Sequence, residues 1–256
     1  MMSRELQNIL AGVQFLTRIP IPPVVRYEPD WLASAAKYFP LIGAVVGAIA
    51  AVVLVTASLI FPQPVPMVMG IVAAIAITGA LHEDGLADTA DGLFGGMTPE
   101  RRLEIMKDSR IGTFGVIAAV SVFALKVSSL QALDAVMAAY TLVAAHAGGR
   151  FAAVLAMALM SYSGHDDTAK VTPPARRIAV GQVAIAAAFT LIVGLLCLPP
   201  STFAISVVVA LVASACLGFA AKRRIGGYTG DVLGGIEQVF EASFMVTAAA
   251  LIAGPG

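Results

Sequence analysis

Residues 38–81 carry no formal charge over 44 consecutive positions. A bilayer core takes about 20 apolar residues per helix, so this run holds two membrane crossings and excludes an ordinary water-soluble globule. The break between them falls at Phe61-Pro62-Gln63-Pro64-Val65-Pro66, where three prolines withhold backbone donors and stop a helix. The rest of the chain agrees: 59% of its 256 residues are hydrophobic and 12% are charged, against roughly 25% charged in a soluble domain. Disordered, collagenous and disulfide-stapled folds are excluded as well, and Cys197 and Cys216 read as reduced thiols packed in apolar runs.

The expected fold is all-α, a polytopic membrane helix bundle of about seven transmembrane helices in one integral-membrane domain, 1–256. The crossings are expected at 40–61, 66–81, 114–133, 135–160, 178–198, 202–221 and 236–253. The second is short, and is expected to run on as helix past His82, setting the first carboxylates at the membrane surface. Ahead of the first crossing, Leu6, Ile9, Leu10, Val13 and Leu16 recur at helical spacing before Ile19-Pro20-Ile21-Pro22-Pro23, which predicts an N-terminal interfacial helix. That segment lacks a signal-peptide apolar core, so no cleaved targeting sequence is expected.

Charge placement predicts the topology. Fourteen of the sixteen basic residues fall within 1–37, 82–113, 161–177 and 222–235, and the alternate connections have none. Basic residues in short loops resist translocation, which predicts a cytoplasmic N-terminus, an outward C-terminus and polar loops gathered on the cytoplasmic face. The net charge of zero gives no reason to expect a nucleic-acid partner.

Seven of the sixteen acids crowd into the first large loop, about 82–115. Asp84, Asp88 and Asp91 stand at i, i+4 and i+7, one face of a helix, where three like charges call for a hard divalent cation such as Mg²⁺. Gly85, Gly92, Gly95 and Gly96 interleave them and open the backbone to a ligand. Thr98-Pro99-Glu100 reads as an N-cap, a first-turn proline and an early acid of a short helix bearing Glu104 and Asp108. Glu104 joins the candidate metal carboxylates, Lys107 and Arg110 supply cations for phosphate oxygens, and a Gly112-x-x-Gly115 turn opens the next crossing. Such a constellation suits phosphoryl or nucleotidyl transfer. An attacking hydroxyl needs a base, for which Asp108 and Glu83 both qualify; spacing does not choose between them.

A second cytoplasmic loop, about 222–235, joins the basic triplet Lys222-Arg223-Arg224 to Gly226, Gly227 and Gly230, with Thr229 and Asp231 as a further substrate or metal contact. Glu237 and Glu241, and His146 and Arg150, form i, i+4 pairs inside crossings, where exposure to lipid would be costly; they are expected to face the bundle interior, as is Lys126. Arg150 lies about 15 Å of helix from the cytoplasmic end. Pairing with an intramembrane acid and contact with phosphate are both open to it.

Four segments together resemble the cobalamin synthase family, the adenosylcobinamide-GDP ribazoletransferases: Phe15-Leu16-Thr17-Arg18-Ile19-Pro20, Asp84-Gly85-Leu86-Ala87-Asp88-Thr89-Ala90-Asp91-Gly92, Met106-Lys107-Asp108-Ser109-Arg110-Ile111-Gly112-Thr113-Phe114-Gly115 and Gly227-Tyr228-Thr229-Gly230-Asp231. The resemblance spans nearly the whole chain. It implies an Mg²⁺-dependent transferase of the inner membrane that joins adenosylcobinamide-GDP to α-ribazole, or its 5′-phosphate, and releases GMP. It also implies metal around Asp84, Asp88 and Asp91, and phosphate near Lys107, Ser109 and Arg110. Beside these, Thr113, Arg150, Thr229 and Asp231 are expected substrate contacts. The expected partners are these small molecules and the lipid bilayer, and a homo-oligomer is compatible with the sequence. Asp88-x-x-Asp91-Gly92 followed by Glu104-x-x-x-Asp108 partly resembles the CDP-alcohol phosphotransferases, but the Ala-Arg pair is missing and Glu104 replaces an aspartate. A transporter is the reading from a different class, disfavoured because most charge lies at one surface.

Overall fold

The structure, a computed structural model, describes residues 3–21, 31–164 and 178–254. Pro22, Pro23, Arg26, Lys170, Arg176 and Arg177, used above for helix ends and topology, lie outside the described residues. The elements are α1 (Arg4–Leu16), α2 (Trp31–Ala36), α3 (Phe39–Ser58), α4 (Val65–Thr78), α5 (Leu81–Gly95), α6 (Pro99–Lys107), α7 (Thr113–Gln131), α8 (Ala135–Leu159), α9 (Val180–Cys197), α10 (Pro200–Ile225) and α11 (Gly230–Ala253). The described residues form no strand beyond an isolated bridge between Tyr162 and Tyr228.

Six helices, α3 and α7 to α11, are long and apolar enough to cross a membrane, and the bent pair of α4 and α5 brings the number up to seven. The fold is therefore the expected all-α, multi-pass membrane bundle. α8 lies at its centre, packed on α3, α9 and α11, and α11 also packs on α5, α7 and α10. Small residues permit this. A side chain at Gly43 of α3 would strike the His146 carbonyl of α8, and a Cβ on Gly149 would come within 2.9 Å of Glu237 Cγ and 3.1 Å of Glu241 Cγ on α11. The peripheral helices turn apolar stripes outward, with Val116, Ile117 and Val120 exposed on α7 and Val208, Val209 and Val212 on α10.

The structure corrects the expected course of the second crossing. Helix does resume at Leu81 and run past His82, but α4 and α5 meet at 89°. Gly79 and Ala80 take left-handed backbone angles, φ 66° and 58°, and their amides turn back to the carbonyls of Ala76 and Ile75. Ala80 is a non-glycine residue there, at a cost of roughly 1–2 kcal/mol. The stretch after α1 clamps the corner, since the Arg18 amide donates to the Ile77 carbonyl at 2.6 Å and the Arg18 side chain lies against Gly79. With 14 residues, α4 rises about 21 Å, short of the roughly 30 Å of a bilayer core. α5 therefore runs across the bundle, packed on α11, α7 and α6.

The second glycine-rich loop, 222–235, is more helical than expected. α10 reaches Ile225 and carries Lys222, Arg223 and Arg224 in its last turn, where cations suit the helix dipole. α11 already begins at Gly230. α1 is amphipathic, capped by Ser3 and held near the start of α3 by Glu5, which accepts from Lys37 Nζ at 3.0 Å and from Tyr38 Oη at 2.7 Å.

Candidate active site

The 89° corner carries the acidic helix α5 alongside the start of α11. Their contact is tight because glycines meet there: a Cβ on Gly85 would approach the Asp231 carbonyl to 2.8 Å and Gly234 Cα to 3.3 Å. Asp84 and Asp88 of α5 and Asp231 of α11 consequently open into one cavity of about 730 Å³, within the range of small-molecule sites. Asp84 and Asp88 of α5 line it, together with Lys107, Asp108 and Ser109 at the end of α6 and Thr229 and Asp231 at the start of α11. Its deep side is formed by His82, Arg150 and Glu237, and another side is apolar, including Phe15, Leu16, Leu32 and Phe39.

Other predicted residues stand elsewhere. Asp91 shares the helix face of Asp84 and Asp88, yet its carboxylate is buried against the start of α7, accepting from the Gly112 amide at 2.7 Å and the Gly115 amide at 2.9 Å. It thereby caps a helix whose first amides lack internal partners. The Gly112-x-x-Gly115 turn serves the same contact, since a Cβ at Gly115 would collide with that carboxylate. Glu104 is exposed and paired with Arg101 at 2.9 Å. Among the described residues no group of three or more His, Cys, Asp or Glu side chains is arranged around a common metal position. Thr113 is exposed at the first position of α7, away from the cavity lining.

The two candidate bases also separate. Asp108 closes α6, and the Arg110 guanidinium, hydrogen-bonded through Nε at 3.0 Å and Nη2 at 2.7 Å, holds its carboxyl down to about 2. Glu83 points away from the large cavity. It accepts from Gln238 Nε2 at 3.1 Å, and its other oxygen is buried without a protein partner beside a small void lined by Ile71, Phe123 and Lys126.

Thr229 caps α11 by accepting from the Val232 amide at 3.2 Å. The turn before it is clipped to the segment after α8: Tyr228 donates its amide to the Ser161 carbonyl and receives the Ser163 amide on its own carbonyl, each at 2.9 Å. Of the basic triplet, Arg224 staples helix ends. Arg224 donates to the Leu93 carbonyl near the end of α5 at 3.0 Å and lies over the Phe94 ring, while Arg102 donates to the Arg224 carbonyl at 3.3 Å.

Beneath the cavity, the intramembrane charges converge as expected, but into one connected network. Glu241 meets Arg150 Nη1 at 2.7 Å, His146 Nδ1 at 2.6 Å and Lys126 Nζ at 2.6 Å. Arg150 Nη1 also lies 2.8 Å from Glu237, whose other oxygen is 3.0 Å from His82 Nε2. Lys126 donates to Gln238, which leads on to Glu83. His82, Gln238 and, on the apolar wall, Leu32 and Phe39 were not singled out in the sequence, although the polarity of His82 and Gln238 within apolar helices was the signal available.

Comparison with known proteins gives a consistent result. A family model described as cobalamin-5-phosphate synthase matches residues 8–249. The chain is 38% identical over 247 residues to the adenosylcobinamide-GDP ribazoletransferase of Leptothrix cholodnii, covering 93% of this chain and 92% of that protein. The proteins of that name from Ralstonia pickettii and Shewanella frigidimarina are 43% and 40% identical, each alignment covering 92% of the relative and 92% and 93% of this chain. No solved structure matches.

Proposed function

Because this chain belongs to the cobalamin-5-phosphate synthase family, we propose that it joins adenosylcobinamide-GDP to α-ribazole, or to its 5′-phosphate, with release of GMP. The observation that carries the reading is the single cavity into which Asp84, Asp88 and Asp231 open with Lys107 and Ser109. A diphosphate needs that pairing of carboxylates with phosphate-binding donors. In the reaction a ribose ring hydroxyl, free in both α-ribazole and its 5′-phosphate, attacks the phosphorus on the cobinamide side. A new P–O bond forms, the bond to the bridging oxygen breaks, and GMP departs with the electron pair as the hydroxyl proton passes to a carboxylate or to water.

Mg²⁺ fits the cavity's donor set, which offers hard carboxylate oxygens from Asp84 and Asp88 and leaves room for substrate phosphates. Bound there, it would neutralise charge on the diphosphate and the departing GMP. Asp91 and Glu104, grouped with these acids by spacing, are left out of this set because of their helix-capping and surface-pairing roles. Lys107 and Ser109 bind phosphate oxygens. Asp108, held low by Arg110, is a weak proton acceptor near neutral pH and serves to orient that guanidinium.

The test is purified protein with adenosylcobinamide-GDP and α-ribazole, with and without Mg²⁺. GMP and a completed cobamide should form only with the metal. Inactivity on this pair, with CMP released from CDP-diacylglycerol and an alcohol, would replace the reading by lipid synthesis.

Charge placement supports an inner-membrane protein with its N-terminus and the cavity-bearing α5 and α6 on the cytoplasmic side and its C-terminus outside. With both native cysteines replaced, a Glu100→Cys protein should react with an impermeant thiol reagent in inverted vesicles and be protected in intact cells. The opposite pattern reverses the topology.

A further inference from the structure

The segment Phe15-Leu16-Thr17-Arg18 ends the amphipathic helix α1, and its role in the reaction is unassigned. In the structure it splits into two tasks. Arg18 clamps the α4–α5 corner, whereas Phe15 and Leu16 turn into the large cavity beside Leu32 and Phe39. Phe15 lies edge-on to Trp31, ring centroids 5.6 Å apart, and stacked with Phe39 at 6.1 Å. Leu16 and Phe39 are buried, 4% and 3% exposed, and Phe15 beside them is half-buried; all three line the cavity.

We propose that this wall is the subsite for the base of the attacking nucleoside, a flat, methylated and nearly apolar heteroaromatic ring. The proposal rests on the reaction proposed above and names where its second substrate sits. The substrates' chemistry separates the choices. Guanine carries amide-like donors and acceptors along its edge, and burying them against phenylalanine and leucine would leave them without partners. The corrinoid is rimmed by amides and meets the same objection. The dimethylbenzimidazole of α-ribazole presents two methyl groups and one ring nitrogen, so an aromatic and aliphatic wall gains contact area with little polar loss. A base held there projects its ribose toward the rest of the same cavity, where Asp84, Asp88 and Lys107 lie.

Trp31 is the chain's one tryptophan and packs against Phe15, which makes it an internal reporter. The experiment titrates the intact protein with α-ribazole, with benzimidazole riboside lacking the two methyls, and with GMP, reading Trp31 emission after inner-filter correction. α-Ribazole should shift the signal saturably, the unmethylated riboside should bind about tenfold more weakly, and GMP should leave it unchanged. In steady-state assays Phe15→Ala should raise KM for α-ribazole by about tenfold and leave KM for adenosylcobinamide-GDP within about twofold. Saturable α-ribazole binding without turnover would remove the reaction and leave the subsite standing. A response to GMP in place of α-ribazole, equal affinity for the two ribosides, or a Phe15→Ala effect on adenosylcobinamide-GDP alone would overturn the proposal.

Discussion

Asp84 and Asp91 lie seven residues apart on one helix face, but the first is exposed at the cavity and the second is 7% exposed beneath the start of α7. Removing the Asp91 carboxylate strands two amides. Asp91→Ala is therefore expected to lower stability by about 1–3 kcal/mol, whereas Asp84→Ala should change it by less than about 0.5 kcal/mol and lose Mg²⁺-dependent GMP release. Thermal unfolding in detergent, run beside the turnover assay, separates the two. A wild-type melting curve for Asp91→Ala would discard the capping role. The shared helix face of these acids was legible from spacing. Their different surroundings were not, because the amides that meet Asp91 lie 21 and 24 residues further on, and helical periodicity does not reach across such a gap.

At the scale of elements, apolar run length and punctuation located most helices. Thr98 caps α6 by accepting from Arg101, as Thr98-Pro99-Glu100 predicts, and the proline-rich break separates α3 from α4. The corner at Gly79 and Ala80 was hidden, since alanine ordinarily favours helix and here adopts φ 58° under clamping by Arg18. Glycine content signalled close packing without saying which helices meet. Gly43 now has a partner, and a Cβ there would press on the His146 carbonyl and the Arg150 side chain. Gly43→Leu is expected to cost about 1–3 kcal/mol in unfolding experiments and to lower turnover as well, because Arg150 lines the cavity. Unchanged stability would show that α3 and α8 separate freely at this point.

For the whole molecule, the buried charges act as a unit. Lys126 comes from α7, His146 and Arg150 from α8, and Glu237 and Glu241 from α11, so three helices share one set of compensating charges. Their inward orientation was readable from the cost of facing lipid; their pairing required the tertiary fold. Lys126→Met leaves Glu241 short of a cation and is expected to cost about 3–5 kcal/mol. Adding Glu241→Gln should cost much less than its own effect in the wild type, giving a non-additive double-mutant cycle by chemical unfolding. Additive losses would show that the pair is uncoupled.

The same network sets an order on biosynthesis. Lys126 and Arg150 are made 115 and 91 residues before Glu241, on the last helix. At about 5–20 residues per second, each cation waits on the order of ten seconds for its counter-charge. During that interval α7 and α8 hold uncompensated charge at the depth of the bilayer, so the arrival of α11 is what converts inserted helices into a finished bundle.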